Sequence, residues 1–338
     1  MFTTLKKIFH SRAEKLETPV AVLHSTINTE PENGEAQTHW QQIEQRFSEM
    51  LLGVKSLPDE QISKQEKASL ASLQKQYLQD ALPEHRVPRL PSIIPKLMLA
   101  LRDRDSSASD LAELLAGDVV LVSEVIRLAN SAYYSRSQFY DSLEQAIVNI
   151  GFSGIRQIII SAAMKPILNT SSGHFSHIAS GHLWDKSMYA GQLSDCAAKK
   201  MHEDRFHAYL ASLTMQSGMT MLSHELDNFF SRDKAPRSRQ FVDTLNRYAL
   251  EISARISEHW QFPAAVSDAL REQLVTDDFA KVSKLGMIIF LSDKFAKTKL
   301  LQKNGYLENL DSDMIKLTPA GMDIAFSDCE KLLDSNEG

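Results

Sequence analysis

The stretch DLAELLAGDVVLVSEVIRLANSAYY, residues 110–134, decides the fold class. Leu111, Leu114 and Leu115 recur at helical spacing. Ser107 and Asp110, three residues apart, have the pattern of a capping box, and Gly117 is a natural stop. Asp118 can cap a second helix running to about Ala129. SLEQAIVNIGFSGIRQIII, residues 142–160, repeats this grammar. Ser142 and Gln145 form a second capping box, and Ala146, Ile147 and Ile150 share one face. Gly151 ends that helix. A further apolar helix runs from Gly154 to Met164, where Pro166 is expected to terminate it.

Helical patterns cover nearly the whole chain. Residues 169–176 are rich in Ser and Gly and read as a connection. Beyond them lie patterns over residues 182–201, 207–225, 239–260, 263–274 and 279–297. Thr318-Pro319 reads as a cap and first-turn proline for a last helix through Leu333. Upstream, residues 40–82 carry Ile43, Phe47, Met50 and Leu51, then Leu70, Leu73, Tyr77 and Leu78, with a break at Pro58-Asp59. Residues 29–37 are acidic, hold Pro31 and Asn33-Gly34, and read as a linker. Period-two alternation is almost absent. The expectation is an all-α protein, a multi-helix bundle with an N-terminal helical extension.

Length and composition bound the function. The chain has 338 residues, 43% apolar and 24% charged, with a net charge of −6. That balance suits a soluble protein and argues against bulk nucleic-acid binding. No apolar run reaches the length of a membrane span. Residues 1–16 place Phe2, Leu5, Ile8 and Phe9 among Lys6, Lys7, Arg12 and Lys15. This basic amphipathic helix could touch a membrane surface through residues 1–15, or fold back on its own domain. The two cysteines, Cys196 and Cys329, exclude a disulfide framework and fit a reduced cytoplasm. Cys196 lies in an apolar helix pattern and reads as an inert buried thiol.

Familiar catalytic signatures are absent: no GxxxxGK[ST], GxGxxG, GxSxG or CxxC. None of the eleven histidines precedes an aspartate. His174, His177 and His182, with Asp185 nearby, form the densest cluster. It reads as a possible metal group or, more simply, as helix-end and surface histidines. His202 and His207 flank Glu203-Asp204 and read as solvated. SRDKAPRSR, residues 231–239, offers Arg232, Lys234, Arg237 and Arg239 to a phosphate or acidic partner, or is a solvated loop. Arg127, Asn130 and Tyr133 stand in the most distinctive motif as interaction candidates. Asn130 also suits a helix end, where it bonds the local backbone. Arg156 suits a helix end too, and Trp184 and Trp260 suit the core.

The block from residue 88 onward resembles the HDOD domain, the HD-related output domain of bacterial signalling proteins. RLPSIIPKLMLALRD (89–103) resembles its proline-punctuated start. Residues 110–134 resemble its core motif, with Val119 where proline is usual. Residues 142–160, LWDKS (183–187) and ISEHWQFPAAVSDAL (256–270) continue the likeness through about residue 310. The expected organisation is residues 1–37 as helix and linker, 38–87 as helical extension, 88–170 and 171–310 as the two halves of the domain, and 311–338 as a C-terminal helix and tail.

This resemblance implies an HD-like fold whose phosphohydrolase metal site has decayed. Lys186 stands where a histidine often precedes the serine. LTMQSG (213–218) replaces the His-Asp helix, putting Met215 and Gln216 at that pair. Tyr248 takes a third histidine position, and Glu272-Gln273 the late His-His pair. Asp293, in LSDKFA, is the one surviving ligand position, and would pair with Lys186 or a neighbouring lysine. The implied function is a non-catalytic, cytoplasmic signalling module with no metal or other cofactor. It would bind another protein or a nucleotide-type ligand in the pocket left behind. The alternatives are a metal-dependent phosphohydrolase and a membrane-surface adaptor.

Overall fold

Helix starts follow the capping chemistry written in the sequence. The computed structural model describes residues 31–337 except 92–93, 96–106, 132–133, 136–138, 275–280, 308–313, 316–317 and 320. The chain divides into units of residues 1–39 and 40–338. The basic helix expected over residues 1–16 and the candidate Tyr133 lie outside the described residues.

The helices are α1 (Pro31–Leu52), α2 (Lys64–Tyr77), α3 (Ala108–Ala116), α4 (Val119–Ala129), α5 (Leu143–Leu168) and α6 (His174–Met201). They continue as α7 (Arg205–Thr214), α8 (Ser217–Phe229), α9 (Arg239–His259), α10 (Ala264–Glu272), α11 (Lys284–Lys303) and α12 (Asp323–Glu337). The described residues form no strand; one isolated bridge joins Asp59 to Ser238. The Ser107–Asp110 capping box opens α3. The Asp118 carboxylate accepts from the Leu121 amide at 3.0 Å to open α4. Ser142 accepts from the Gln145 amide at 3.2 Å, half of the expected box. Each such acceptor satisfies an amide that has no intrahelical partner.

α6 is the axis of the larger unit, packing against α7, α8, α11 and α12. Its contact face is built from small residues such as Ala190, Gly191, Ser194, Ala197 and Ala198, which let neighbouring helices approach closely. Tyr209, Phe175, Phe241 and Phe295 are among the largest fully buried side chains. Removing these large apolar side chains from water supplies the main cohesive free energy. Trp260 is buried and donates its indole N–H to the Pro88 carbonyl at 2.9 Å. Trp184 is only partly buried, with Lys165 Nζ 5.8 Å from its ring centroid.

Several local expectations are corrected. The acidic stretch read as a linker is helical from Pro31, since proline is tolerated in a first turn. α2 joins the common core through Leu70, Leu73 and Tyr77. Pro166 does not stop its helix early; α5 continues to Leu168. The break expected at Gly151 is present: its φ of 78° and ψ of 165°, a conformation open to glycine, kink α5 there. The span 207–225 is two helices, joined through Met215 and Gln216. The last helix starts at Asp323, because Thr318 donates to the Met314 carbonyl at 3.0 Å instead of capping it. Arg156 lies inside α5, its guanidinium 4.9 Å from the ring centroid of Phe206 in the first turn of α7. His207 lies in the first turn of α7 and not in a loop, whereas His202 sits in the exposed turn after α6, in the left-handed region, as a solvated loop residue would.

Two further findings bear on environment. Cys196 of α6 and Cys329 of α12 form a disulfide, so Cys196 is not an inert thiol. The pairing was hidden because 133 residues separate the two. Disulfides persist chiefly where the surroundings are oxidising, so the pair does not support the reduced-compartment reading of the cysteines. α5 has the length and mean hydropathy to cross a membrane, where no such run was expected. The core of a water-soluble protein provides the same environment: Ile155, Ile158, Ile159, Ile160 and Met164 are buried within this protein.

Candidate functional site

α1, α6, α9 and α11, with the α7–α8 junction, enclose a cavity of about 270 Å³. Its walls include Lys186, Met215, Gln216, Gln273 and Asp293, five of the positions where the family resemblance would place metal ligands. The other two lie elsewhere. Tyr248 is half-buried against the core. Glu272 accepts from the amide and hydroxyl of Ser283, at 3.1 and 2.6 Å, and secures the start of α11.

The Met215–Gln216 junction is held by α9. Ser253 donates its hydroxyl to the Met215 carbonyl and accepts from the Gly218 amide, both at 2.9 Å. A Cβ on Gly218 would fall 1.9 Å from the Ala249 carbonyl oxygen, so the close approach of α8 to α9 requires glycine.

The centre of the site is an ion-pair chain. Lys186 Nζ donates to Asp293 Oδ1 at 2.7 Å. Lys297 Nζ lies 2.7 Å from Asp293 Oδ2, one helical turn along α11. Lys297 also donates to both oxygens of Glu44, at 2.7 and 2.8 Å, and Lys294 donates to Glu44 Oε1. The Lys186 and Lys297 ammonium groups sit 5.0 and 5.6 Å from the Phe47 ring centroid. Lys294 has the same relation to Phe290 at 5.0 Å. These ring faces add electrostatic attraction in a poorly solvated setting.

Lys186 is 3% exposed and Asp293 2%. Burial pushes the Lys186 ammonium down to about 8, with Asp293 pulling the other way. Burial would raise Asp293, but Lys186 and Lys297 outweigh it and hold the carboxyl well below its ordinary range. The same competition, won by Lys294 and Lys297, holds Glu44 at about 2. Burial opposes the charge on Lys297, yet Asp293 and Glu44 raise it. The network is therefore ionised at neutral pH, and each carboxylate is shared between ammonium groups.

This donor set does not fit a metal. A hydrolytic cation needs several converging imidazole or carboxylate ligands and an open position for water. Here both oxygens of Asp293 are engaged by ammonium groups, and a protonated lysine has no lone pair to offer. Met215 and Gln216 are poor substitutes for His and Asp on hard or borderline cations. Among the described residues no group of three or more His, Cys, Asp or Glu side chains could hold an ion, the His174, His177 and His182 cluster included. Burial lowers the His182 imidazole, with Asp185 opposing it. His174 instead packs edge-on to Phe175, with ring centroids 5.2 Å apart.

The remaining candidates are scattered. Arg127 makes two hydrogen bonds to Glu124, at 2.8 and 2.6 Å, on the exposed face of α4. Asn130 ends α4: its Nδ2 donates to the Ile126 and Tyr140 carbonyls, and its Oδ1 accepts from the Tyr140 amide. Arg232, Lys234 and Arg239 are exposed. Arg237 is also exposed and lies 3.3 Å from Asp59. Their loop is fixed from beneath by buried Glu66, which accepts from the Arg237 and Ser238 amides at 2.8 and 3.0 Å. Sequence reasoning missed Glu44, Phe47, Lys294 and Lys297. The i,i+4 spacing of Asp293 and Lys297 was a signal that could have found the last of these.

The profile of the HDOD domain matches residues 87–274. An uncharacterized protein of Treponema pallidum (strain Nichols) is 22% identical over 194 residues, covering 55% of this chain and 37% of that one. The chain thus corresponds to little more than a third of that relative's length. An HDOD domain protein with unknown function from Geobacter sulfurreducens aligns over 80% of this chain and 96% of its own, with TM-score 0.57 and 18% identity. A proposed metal-dependent phosphohydrolase from Shewanella amazonensis SB2B aligns over 82% and 100%, with TM-score 0.58 and 21% identity. At these identities the two structures establish a common fold.

Proposed function

The chain belongs to the HDOD domain family, and from that premise we propose that it is a non-catalytic regulatory module. It acts by binding a small ligand or a partner protein, and its pocket descends from a metal site that no longer holds an ion. One observation carries this reading: a buried ammonium, Lys186, lies 2.7 Å from the last carboxylate at the ligand positions. A cation placed there would have to displace Lys186 and Lys297 and then find its remaining ligands among Met215, Gln216 and Gln273. Without an ion, nothing at the site lowers the pKa of an attacking water. The ionised, hydrogen-bonded network favours one fixed arrangement of α1, α6 and α11, as a scaffold that reports occupancy of the pocket requires. Signalling is what the family likeness implies; fold alone does not assign it.

The test is elemental analysis of the purified chain, together with hydrolysis of bis(p-nitrophenyl) phosphate in the presence of manganese, iron(II) or zinc. The reading predicts substoichiometric metal and no metal-dependent turnover. One or two ions per chain with turnover that chelator abolishes would overturn it.

A further inference from the structure

We infer that the cavity binds a small planar organic monoanion carrying an amide- or imide-type edge, a hydrogen-bond donor beside an acceptor. This rests on the reading of the cavity as a ligand pocket and names the class of ligand.

Charge is the first ground. Four cationic side chains line the cavity, Lys186, Arg247, Lys294 and Lys297, against the carboxylates Glu44, Asp243 and Asp293. One positive charge is left in excess, and a single anionic group neutralises it. Arg247 and Asp243 are exposed and mark the side open to solvent.

Two buried amides are the second ground. Gln273 is 6% exposed, and its Nε2 donates to the Ala269 and Gly286 carbonyls at 2.8 and 3.0 Å. Those two bonds fix the amide, leaving Oε1 as a buried acceptor with no partner among the described residues. Gln216 is 2% exposed, and its Nε2 is a buried donor in the same condition. Buried polar groups are nearly always paired, so two orphans on residues that line one cavity call for an explanation. A ligand edge that donates to Gln273 and accepts from Gln216 satisfies both.

Shape is the third. The Phe47 and Phe290 rings and the flexible Met215 and Met219 side chains make up much of the apolar lining, and such surfaces suit a flat ring. The volume, about 270 Å³, is at the small end of ligand pockets, which start near 300 Å³. It suits one ring system with one anionic substituent, not a polymer.

The test is calorimetric titration of the full chain with three probes. Orotate carries the carboxylate and the imide edge, uracil the edge alone, and benzoate the charge alone. Orotate is expected to bind at least tenfold more tightly than either of the others. Gln216→Met should weaken orotate binding tenfold or more while leaving the melting temperature of the free protein unchanged or higher, since it removes an unpaired buried group. Arg247→Gln should weaken orotate and benzoate but not uracil. No heat with millimolar orotate, equal binding of orotate and benzoate, or orotate binding indifferent to Gln216→Met would each overturn the inference. Its failure is separable from that of the underlying reading. A metal-free, inert chain that ignores orotate defeats the inference alone, whereas stoichiometric metal with turnover defeats the reading beneath it.

Discussion

Replacing Asp293 by Asn should be the most damaging single change in the ion-pair chain. Asp293 serves two ammonium groups, each at 2.7 Å. At an effective dielectric near 20, each contact carries roughly 6 kcal/mol of raw attraction, much of it offset by the cost of removing the charges from water. Removing one partner of a buried pair typically costs about 3–5 kcal/mol, because the other charge stays buried and uncompensated. Here Lys186, 3% exposed, loses its one hydrogen-bonded carboxylate. Lys297 keeps Glu44. The converse change, Lys186→Met, leaves Asp293 paired with Lys297 and should cost only about 1–3 kcal/mol. Asp293→Asn should therefore lower the thermal midpoint by roughly 6–15 °C and Lys186→Met by less. The double change Lys186→Met with Asp293→Asn should cost far less than the two single losses summed, giving a strong coupling in the double-mutant cycle. The assay is thermal unfolding followed by circular dichroism at pH 7. An Asp293→Asn midpoint within 2 °C of the parent, or a Lys186→Met loss exceeding it, would refute the reasoning.

Other outcomes follow from the same structure. Glu44 is held at about 2 in the folded chain against an ordinary 4.5. Its folded pKa is depressed, so its contribution is present above pH 4.5 and fades as pH falls toward 2. A loss on the order of 2–3 kcal/mol is expected across that window and should be absent in Glu44→Gln, as urea unfolding at stepped pH would reveal. Restoring ligands with Lys186→His, Met215→His and Gln216→Asp should confer binding of a divalent ion, measured by elemental analysis; a variant that folds yet stays metal-free would argue against the residue correspondence. The denatured, unreduced chain should show no free thiols. Reduction, or Cys329→Ser, should lower the thermal midpoint, with the chain-entropy view of a 133-residue separation allowing about 5 kcal/mol at most. Two titratable thiols in the unreduced chain would contradict that pairing.

The helical architecture was legible because caps and periodicity are local. Ser107, Asp110 and Asp118 announce α3 and α4 with their own side chains. The break at Gly151 was legible too, because a glycine between two apolar helical patterns marks where the backbone leaves the helical region. The Thr318-Pro319 cap failed because a threonine hydroxyl can serve a carbonyl as readily as an amide. Within the site, the motifs pointed to Lys186, Met215 and Gln216, which line one cavity. The contribution of α1 was not: Glu44 meets Lys294 and Lys297 across some 250 positions, and no local pattern encodes that meeting. Glu272 was assigned to the pocket by its place in a motif, whereas its carboxylate serves Ser283. The Cys196–Cys329 bond was missed for the same reason as Glu44, being a contact made only by the tertiary fold.

The central claim is that an internal ammonium holds the position a catalytic cation would need. Titration of the metal-stripped chain with manganese, iron(II) and zinc at pH 7, followed by calorimetry, tests it most directly. The account predicts no saturable binding in the parent chain. Saturable micromolar binding of one or two ions, abolished by Asp293→Asn, would contradict it.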